Sequence, residues 1–432
     1  MSDAAVQWLP YTVSASRPTR DDAVDGTGLR WEYGHPPKTR VSHPICSRKK
    51  FMRYAFRLAE LLGHTPDRRK RPGTIKSIVE HTGLDRHQVA SLLKNEAKYI
   101  PLEALSRLCD YLIDHGYAAA DQLPGALFAV NAENFWEMLA RRGDIEIVVG
   151  VRQGEQNESP EGAMVVASDS VLVGELLNGV STLGGAAKHH APADDDNGKA
   201  EPVPMPSRIQ QTLVWSPGQV SLDDARQRAN EVFEGFVEAQ GDRGIVCIGS
   251  VKSNPTVELV FSDAFGCTPF VTEDDVDDVS ARSCPFFLRY RDTDPKPEGA
   301  SAGLRLSKNE DAPDPGFYYE KDDGTWAYAG GKNKDTALVF YLFREALGRL
   351  DMVLSGFSGR ATRLLAKTLA IRGEEFWPPV YHQAGLQIGA YLVQYENTEG
   401  KPSRDDLLFN PGGAAKIMPL SSQAIARRMA RR

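Results

Sequence analysis

The sequence predicts a multidomain chain: an N-terminal all-α bundle followed by an α/β domain with a largely parallel sheet. Three observations predict it. At 432 residues the chain is long for a single hydrophobic core, which rarely grows beyond about 250–300 residues. Between residues 46 and 120 the apolar side chains recur at helical spacing. From DIEIVVGVR (144–152) onward, short apolar runs alternate with amphipathic helical stretches, which is how a parallel sheet with crossover helices is written.

Residues 1–45 are rich in Pro, Ser, Thr, Asp and Gly without sustained periodicity, so they are expected to be disordered or loosely docked. Trp8, Trp31 and Tyr33 are the exceptions there, able to pack on a neighbour. The bundle, residues 46–120, opens with a basic lead-in and then Phe51, Tyr54, Ala55, Leu58 and Leu62 at helical spacing.

The stretch TIKSIVEHTGLDRHQVASLLKN (74–95) reads as two short helices around a tight turn. Ile75, Ile78 and Val79 line the first, which stops at Thr82-Gly83, where glycine can take a left-handed conformation. Leu84 plugs the corner, Asp85 caps the second helix, Val89, Leu92 and Leu93 form its apolar face, and Asn95 can end it. That leaves Arg86, His87, Gln88, Ser91 and Lys94 outward, a donor-rich set near a helix N-terminus suited to base edges and phosphates. A further helix starts at Pro101, with Leu102, Leu105, Leu108 and Leu112 expected inward.

From about Phe51 to Gly116 this pattern resembles the helix-turn-helix of the phage Cro and CI repressor family. The resemblance implies a module that binds double-stranded DNA, works as a homodimer on paired half-sites, and places Gln88 and Arg86 nearest the bases, with Ser91 and Lys94 on base or backbone. Ile75 stands where the family usually has a phosphate-contacting Gln, and Asn95 where it has a closing Gly. The connection GHTPDRRKRPG is longer than usual, and its Arg68, Arg69, Lys70 and Arg71 are positioned to touch phosphate instead. Charge agrees: residues 46–120 hold 14 Lys and Arg against 8 Asp and Glu, in a chain of net charge −7. The alternative is a small helical bundle that uses this corner only for packing.

A connecting helix follows within 121–143, from AENFWEMLARRG. In the α/β domain, 144–415, strands are expected at Ile145–Val151, RIQQTLVWS, GIVCIGS, FFLRYR, the two arms of GFYYEKDDGTWAYAG, ALVFYLFRE, LDMVLSG and GLQIGAYLVQYE. Helices are expected at SDSVLVGELLNGV, at LDDARQRANEVFEGFVEAQ capped by Ser221, at NPTVELVFSDAFG with Pro255 in its first turn, and at RATRLLAKTLA. A polar, Pro-containing loop interrupts at 183–206 and is expected to be flexible. Its His189 and His190 with Asp194, Asp195 and Asp196 read as a solvated charge run rather than metal ligands, and so does EDDVDDV near residue 273. The tail 416–432 reads as a short basic helix that either touches DNA or caps the domain.

Two strand-to-helix loops have the composition of an anion site. One is Gly249, Ser250, Val251, Lys252, Ser253 and Asn254; the other runs from Ser355 through Gly356, Ser358, Gly359, Arg360 and Thr362, with Arg363 following. GIVCIGSVKSNP and LDMVLSGFSGRAT resemble Rossmann-like domains, which implies a possible anionic or nucleotide-like ligand and no particular cofactor. Neither loop matches a phosphate-binding or nucleophile-elbow motif, so ordinary turn chemistry is the competing reading.

No catalytic set can be assembled: Asp169, Glu258, Asp263 and His382 lie near strand ends or helices without a grouped nucleophile or base. The five cysteines have no C-x-x-C spacing, which argues against zinc and a disulfide framework; Cys109 and Cys247 read as core residues. The longest apolar run, ALVFYLF, is too short to span a bilayer, and MSDAAVQWLP lacks a signal-peptide pattern, so a cytoplasmic chain without membrane partners is expected. The functional expectation is a sequence-specific DNA-binding transcriptional regulator with an effector-sensing or dimerising α/β domain. The alternative is an enzyme acting on a nucleotide-like substrate, with the helical module targeting or gating it.

Overall fold

The computed structural model describes residues 54–62, 74–94, 97, 99–120, 123–130, 132, 134–153, 162–182, 189–190, 204–205, 208–239, 242–271, 282–295, 303–304, 312–331, 333–345, 347–383, 385–396 and 415–429. All belong to the compact unit Met52–Arg432. The N-terminal segment 1–45, the basic run Arg68–Arg71, Asn95 and the acidic EDDVDDV stretch lie outside the described residues. Among those described, no helix is long and apolar enough to cross a membrane.

The helical part comprises α1 (Leu58–Leu61), α2 (Thr74–Thr82), α3 (Arg86–Leu93) and α4 (Leu102–Asp114). Its core is Leu58, Ile78, Leu84, Val89, Leu92, Ala104, Leu108, Tyr111 and Leu112, with Leu127 closing one end. Two expectations are corrected here. Tyr54 and Ala55 are not helical: β1 (Tyr54–Phe56) pairs antiparallel with β2 (Phe128–Val130), and the Phe56 and Phe128 rings meet edge to face at 5.3 Å. The helical unit is therefore tied shut by a ribbon whose second strand is contributed from beyond residue 120. Leu102 points outward, 83% exposed, because the buried stripe of α4 is Ala104, Leu108, Tyr111 and Leu112. Leu102 stands two residues before that stripe, roughly 200° round the helix at 3.6 residues per turn.

After α5 (Phe135–Ala140) comes the α/β domain, with β3 (Asp144–Gln153), β4 (Ala163–Val165), α6 (Ala167–Thr182), the pair β5 (His189–His190) and β6 (Pro204–Met205), β7 (Arg208–Trp215), α7 (Leu222–Glu238), β8 (Arg243–Ile248) and α8 (Thr256–Phe265). Then follow β9 (Phe286–Arg289), β10 (Gly303–Leu304), β11 (Gly316–Glu320), β12 (Trp326–Tyr328), β13 (Lys334–Arg344), β14 (Arg349–Gly356), α9 (Gly359–Arg372), β15 (Tyr381–Gln383), β16 (Leu386–Glu396), β17 (Lys416–Pro419) and α10 (Ser422–Met429). Ser221 caps α7 as expected, accepting the Asp224 N–H at 3.1 Å, whereas Pro255, expected in the first turn of α8, is the N-cap just before its first residue.

The main sheet has nine strands and is mixed. Its parallel half runs β7-β3-β8-β14; β13, β16, β15 and β17 add antiparallel strands beyond β14, and β4 pairs antiparallel with the end of β3. Alternate side chains serve two cores. Val148, Cys247, Val353, Phe340 and Ala390 face α7 and α8, whereas Ile147, Val149, Val246, Met352 and Tyr391 face α5, α6 and α9. Burial on both faces explains why these strands read as continuous apolar runs rather than alternating ones. A second sheet, β10-β9-β11-β12, packs Phe286, Leu288 and Phe317 onto the first core, and its DDG turn joins β11 to β12.

A polar joint connects the helical part to the amino-terminal edge of this sheet. Arg57, between β1 and α1, donates through Nε to Glu345 O at 2.7 Å and reaches Asp242 at 3.4 Å. Arg142, which burial lowers to about 10, donates to Gly348 O at 2.6 Å with Asp242 at 3.9 Å. Burial alone would raise the Glu345 carboxyl, but hydrogen bonds from His382 and Gln387 outweigh it and hold it below its usual value.

Candidate nucleic-acid interface

The corner between α2 and α3 is built by local hydrogen bonds. Thr82 Oγ1 donates back to Ile78 O at 2.6 Å and accepts the Leu84 N–H at 3.3 Å, while the Gly83 N–H reaches Val79 O at 3.0 Å. Gly83 has φ +73°, a conformation that costs other L-residues a clash at Cβ, and this swings Leu84 into the core. Asp85 Oδ1 then accepts the N–H groups of His87 (2.6 Å) and Gln88 (2.9 Å), and Gln88 Oε1 accepts the Asp85 N–H at 3.2 Å. That reciprocal pair is a capping box, and such a cap contributes about 1 kcal/mol.

With Val89 and Leu92 buried, α3 presents Arg86, His87 and Lys94 exposed and Gln88 and Ser91 half-buried. All five side chains thus lie outside the core on one helix. Sequence reasoning missed that Gln88 closes the cap, although Asp85-x-x-Gln88 is the spacing that signals it. The Asp85 N–H occupies one lone pair of the Gln88 carbonyl, which leaves the amide N–H groups and the second lone pair to meet a base edge.

The two glycine loops, far apart in sequence, meet at the carboxyl edge of the parallel strands. Lys252 Nζ crosses from one to the other, donating to Phe357 O at 2.8 Å, and also binds Asp294 at 3.0 Å. Burial lowers its pKa against the opposing pull of Asp294. Gly249, φ +99°, turns the chain there, and a methyl group on it would stand 2.4 Å from Ser253 Oγ and 3.9 Å from Asp169 Oδ2. Asn254 fastens the turn, donating to Val148 O (3.0 Å) and Ile248 O (3.2 Å) and accepting from the Thr256 N–H (3.1 Å).

In the second loop Ser358 caps α9, accepting the Ala361 N–H at 3.2 Å, and donates to Asp335; Thr362 Oγ1 returns to Ser358 O at 3.2 Å. Ser168 and Asp169, at the start of α6, complete the edge: a methyl group on Gly359 would stand 3.3 Å from Ser168 Oγ. Burial raises the Asp169 pKa, opposed by its hydrogen bond with Ser168. The sequence contained no sign that Asp169 would join these loops, because the meeting depends on sheet order.

The other candidates have structural partners. Asp263 binds Arg344 and Arg349, and His382 Nε2 lies 2.8 Å from Glu345. The basic tail also resolves: Arg427 and Arg428 of α10 both bind Glu320 on β11, so these two arginines dock the tail on the second sheet.

Residues 68–113 match the family model for a Cro/C1-type HTH DNA-binding domain, which spans α2, α3 and α4. No curated protein and no solved structure matches the chain.

Proposed function

We propose that this chain is a sequence-specific, double-stranded-DNA-binding transcriptional regulator that works as a homodimer. Its reading module is 46–120, joined through 121–143 to an effector-sensing or dimerising domain, 144–415, that the 416–432 tail caps. The observation that carries the reading is the capped α3, whose polar face stays outside the core within the segment that matches the DNA-binding family. Arg86, His87, Ser91 and Lys94 meet base edges or phosphates, Gln88 does so with its amide nitrogen, and Arg68, Arg69, Lys70 and Arg71 neutralise backbone.

The α/β domain supports a sensing role by its strand order. Chain order among the parallel strands is β3, β7, β8, β14, whereas spatial order is β7-β3-β8-β14. The path leaves β3 on one side and returns on the other, which in doubly wound, Rossmann-like sheets opens a ligand crevice at the carboxyl edge. Gly249, Ser250, Lys252, Ser253 and Asn254 converge there with Gly356, Ser358, Gly359, Arg360 and Thr362. Asp169 beside them favours a ligand that offers a hydrogen-bond donor as well as an anionic group, as a nucleotide does.

Duplex selection with the full chain tests the regulator. Enrichment of a near-palindrome, bound with steep salt dependence, is the expected result; no enrichment, and no binding even at low salt, would sink the proposal. Gln88 gives a sharper test on the selected site. Glu at this position keeps the reach to the Asp85 N–H but loses the amide donor, so Gln88→Glu should hold the parent's stability within about 0.5 kcal/mol while shifting base preference at one position. Gln88→Ala should lose stability by about 0.5–1 kcal/mol. Unchanged base preference in both variants would reduce Gln88 to a cap.

A further inference from the structure

Helix α8 ends at Gly266 in a left-handed conformation (φ 66°) and hands the chain to Cys267, whose N–H bonds Ser262 O at 3.0 Å. Cys284 stands just before β9, on the other side of the acidic stretch in the sequence. The two side chains lie close enough for each thiol to act on the other's ionisation. Their access differs: Cys284 is 0% exposed and Cys267 is half-buried, so a small reagent in solvent reaches the pair through Cys267.

The surroundings suit sulfur anions. The side chains of Ser262 and Ser283 join Cys284 in hydrogen bonding Cys267, against the opposing effects of burial and the Glu258 carboxylate; the balance lowers Cys267 to about 7. Arg282, 1% exposed, lies near both thiols and Glu258, over the Phe287 ring at 4.6 Å. None of its three guanidinium nitrogens has a hydrogen-bond partner among the described residues. A buried cation without hydrogen bonds is costly and favours an anion beside it. Burial pushes the Cys284 thiol up, and the Arg282 charge opposes that.

We propose that Cys267 and Cys284 form a redox-active dithiol that a peroxide converts to an intrachain disulfide. The Cys267 thiolate attacks the peroxide oxygen, breaking the O–O bond; Cys267 becomes a sulfenic acid and the peroxide leaves as hydroxide or alkoxide. The Cys284 sulfur then attacks the Cys267 sulfur, forming the S–S bond, and the sulfenic hydroxyl departs with the Cys284 proton as water. Two electrons pass from the two thiols to the peroxide. The product ties the end of α8 to the start of β9, and a small dithiol reverses it by exchange.

The test treats the reduced full chain with equimolar hydrogen peroxide, blocks remaining thiols with iodoacetamide, and maps peptides by mass. A Cys267–Cys284 cross-link that dithiothreitol removes is the expected result. Cys284→Ser should stop the reaction at a Cys267 sulfenic acid captured by dimedone, and Cys267→Ser should leave Cys284 reduced. In the unsubstituted chain, alkylation of Cys267 should reach half its maximal rate near pH 7, a downward shift from the roughly 8.5 of a free thiol. Cross-links to Cys46 or Cys109 instead, or a Cys267 that stays reduced and titrates as a free thiol, would overturn the proposal.

Discussion

Arg86→Ala is expected to weaken binding of the selected duplex by about 1–3 kcal/mol, roughly five- to 150-fold, and to relax preference at one base pair. The position argues for this. Arg86 is the first residue of α3, exposed, and directly follows the capping Asp85, at the N-terminal end of the helix proposed to enter the groove. Lys94 closes the same helix at its C-cap. Its removal should act differently if it meets phosphate: all duplexes would weaken alike, and the slope of log affinity against log salt would fall by about 0.9. Titrating parent and variants against the selected duplex and a one-base mismatch, at several salt concentrations, separates the two roles. An Arg86→Ala variant that loses neither affinity nor discrimination would remove Arg86 from the interface.

Asp351→Ala should destabilise the α/β domain by about 3–5 kcal/mol, the usual consequence of removing one member of a buried ion network. Asp351 is 0% exposed and accepts from Arg349 Nε at 2.9 Å and from Arg344. Both arginines also bind Asp263, which is partly exposed, so the quartet is neutral as it stands. Losing Asp351 leaves two largely buried guanidinium groups sharing one carboxylate, and the penalty is desolvation without compensation. Asp351→Asn should cost less, since it keeps the volume and one accepting oxygen. The check is the denaturant midpoint followed by fluorescence of Trp136, which is 1% exposed beneath α6. A loss below 1 kcal/mol with an unchanged slope would show that the network is worth little.

The helix-turn-helix corner was legible because its determinants are local. Gly83, Leu84 and Asp85 act on neighbours within a few residues, through φ, burial and a cap, and all three act as their positions in the sequence predict. The runs behind β3, β8, β13, β14 and β16 were legible for a related reason, since a strand buried on both faces leaves an uninterrupted apolar stretch. The helical spacing at Tyr54 and Ala55 misled, because pairing with Val130 and Ala129 supplies backbone partners that no local window contains. Leu102 misled because a leucine at a helix start looks like core until the direction of the buried stripe is known.

By itself, then, the sequence determined the main helices and the long buried strands, their order, and the chemistry offered by the outward face of α3, since propensity, capping and periodicity act over one or two turns of chain. Tertiary structure alone decided which distant groups share a place. Strand order in the main sheet brought the Gly249 and Gly356 loops together with Asp169, and packing around the second sheet docked Arg427 and Arg428 on Glu320 and set Cys267 against Cys284. The physical reason is that these contacts depend on how strands are ordered and on how sheets and helices stack, and both are set by the mutual burial of whole faces, which leaves no mark at any single residue.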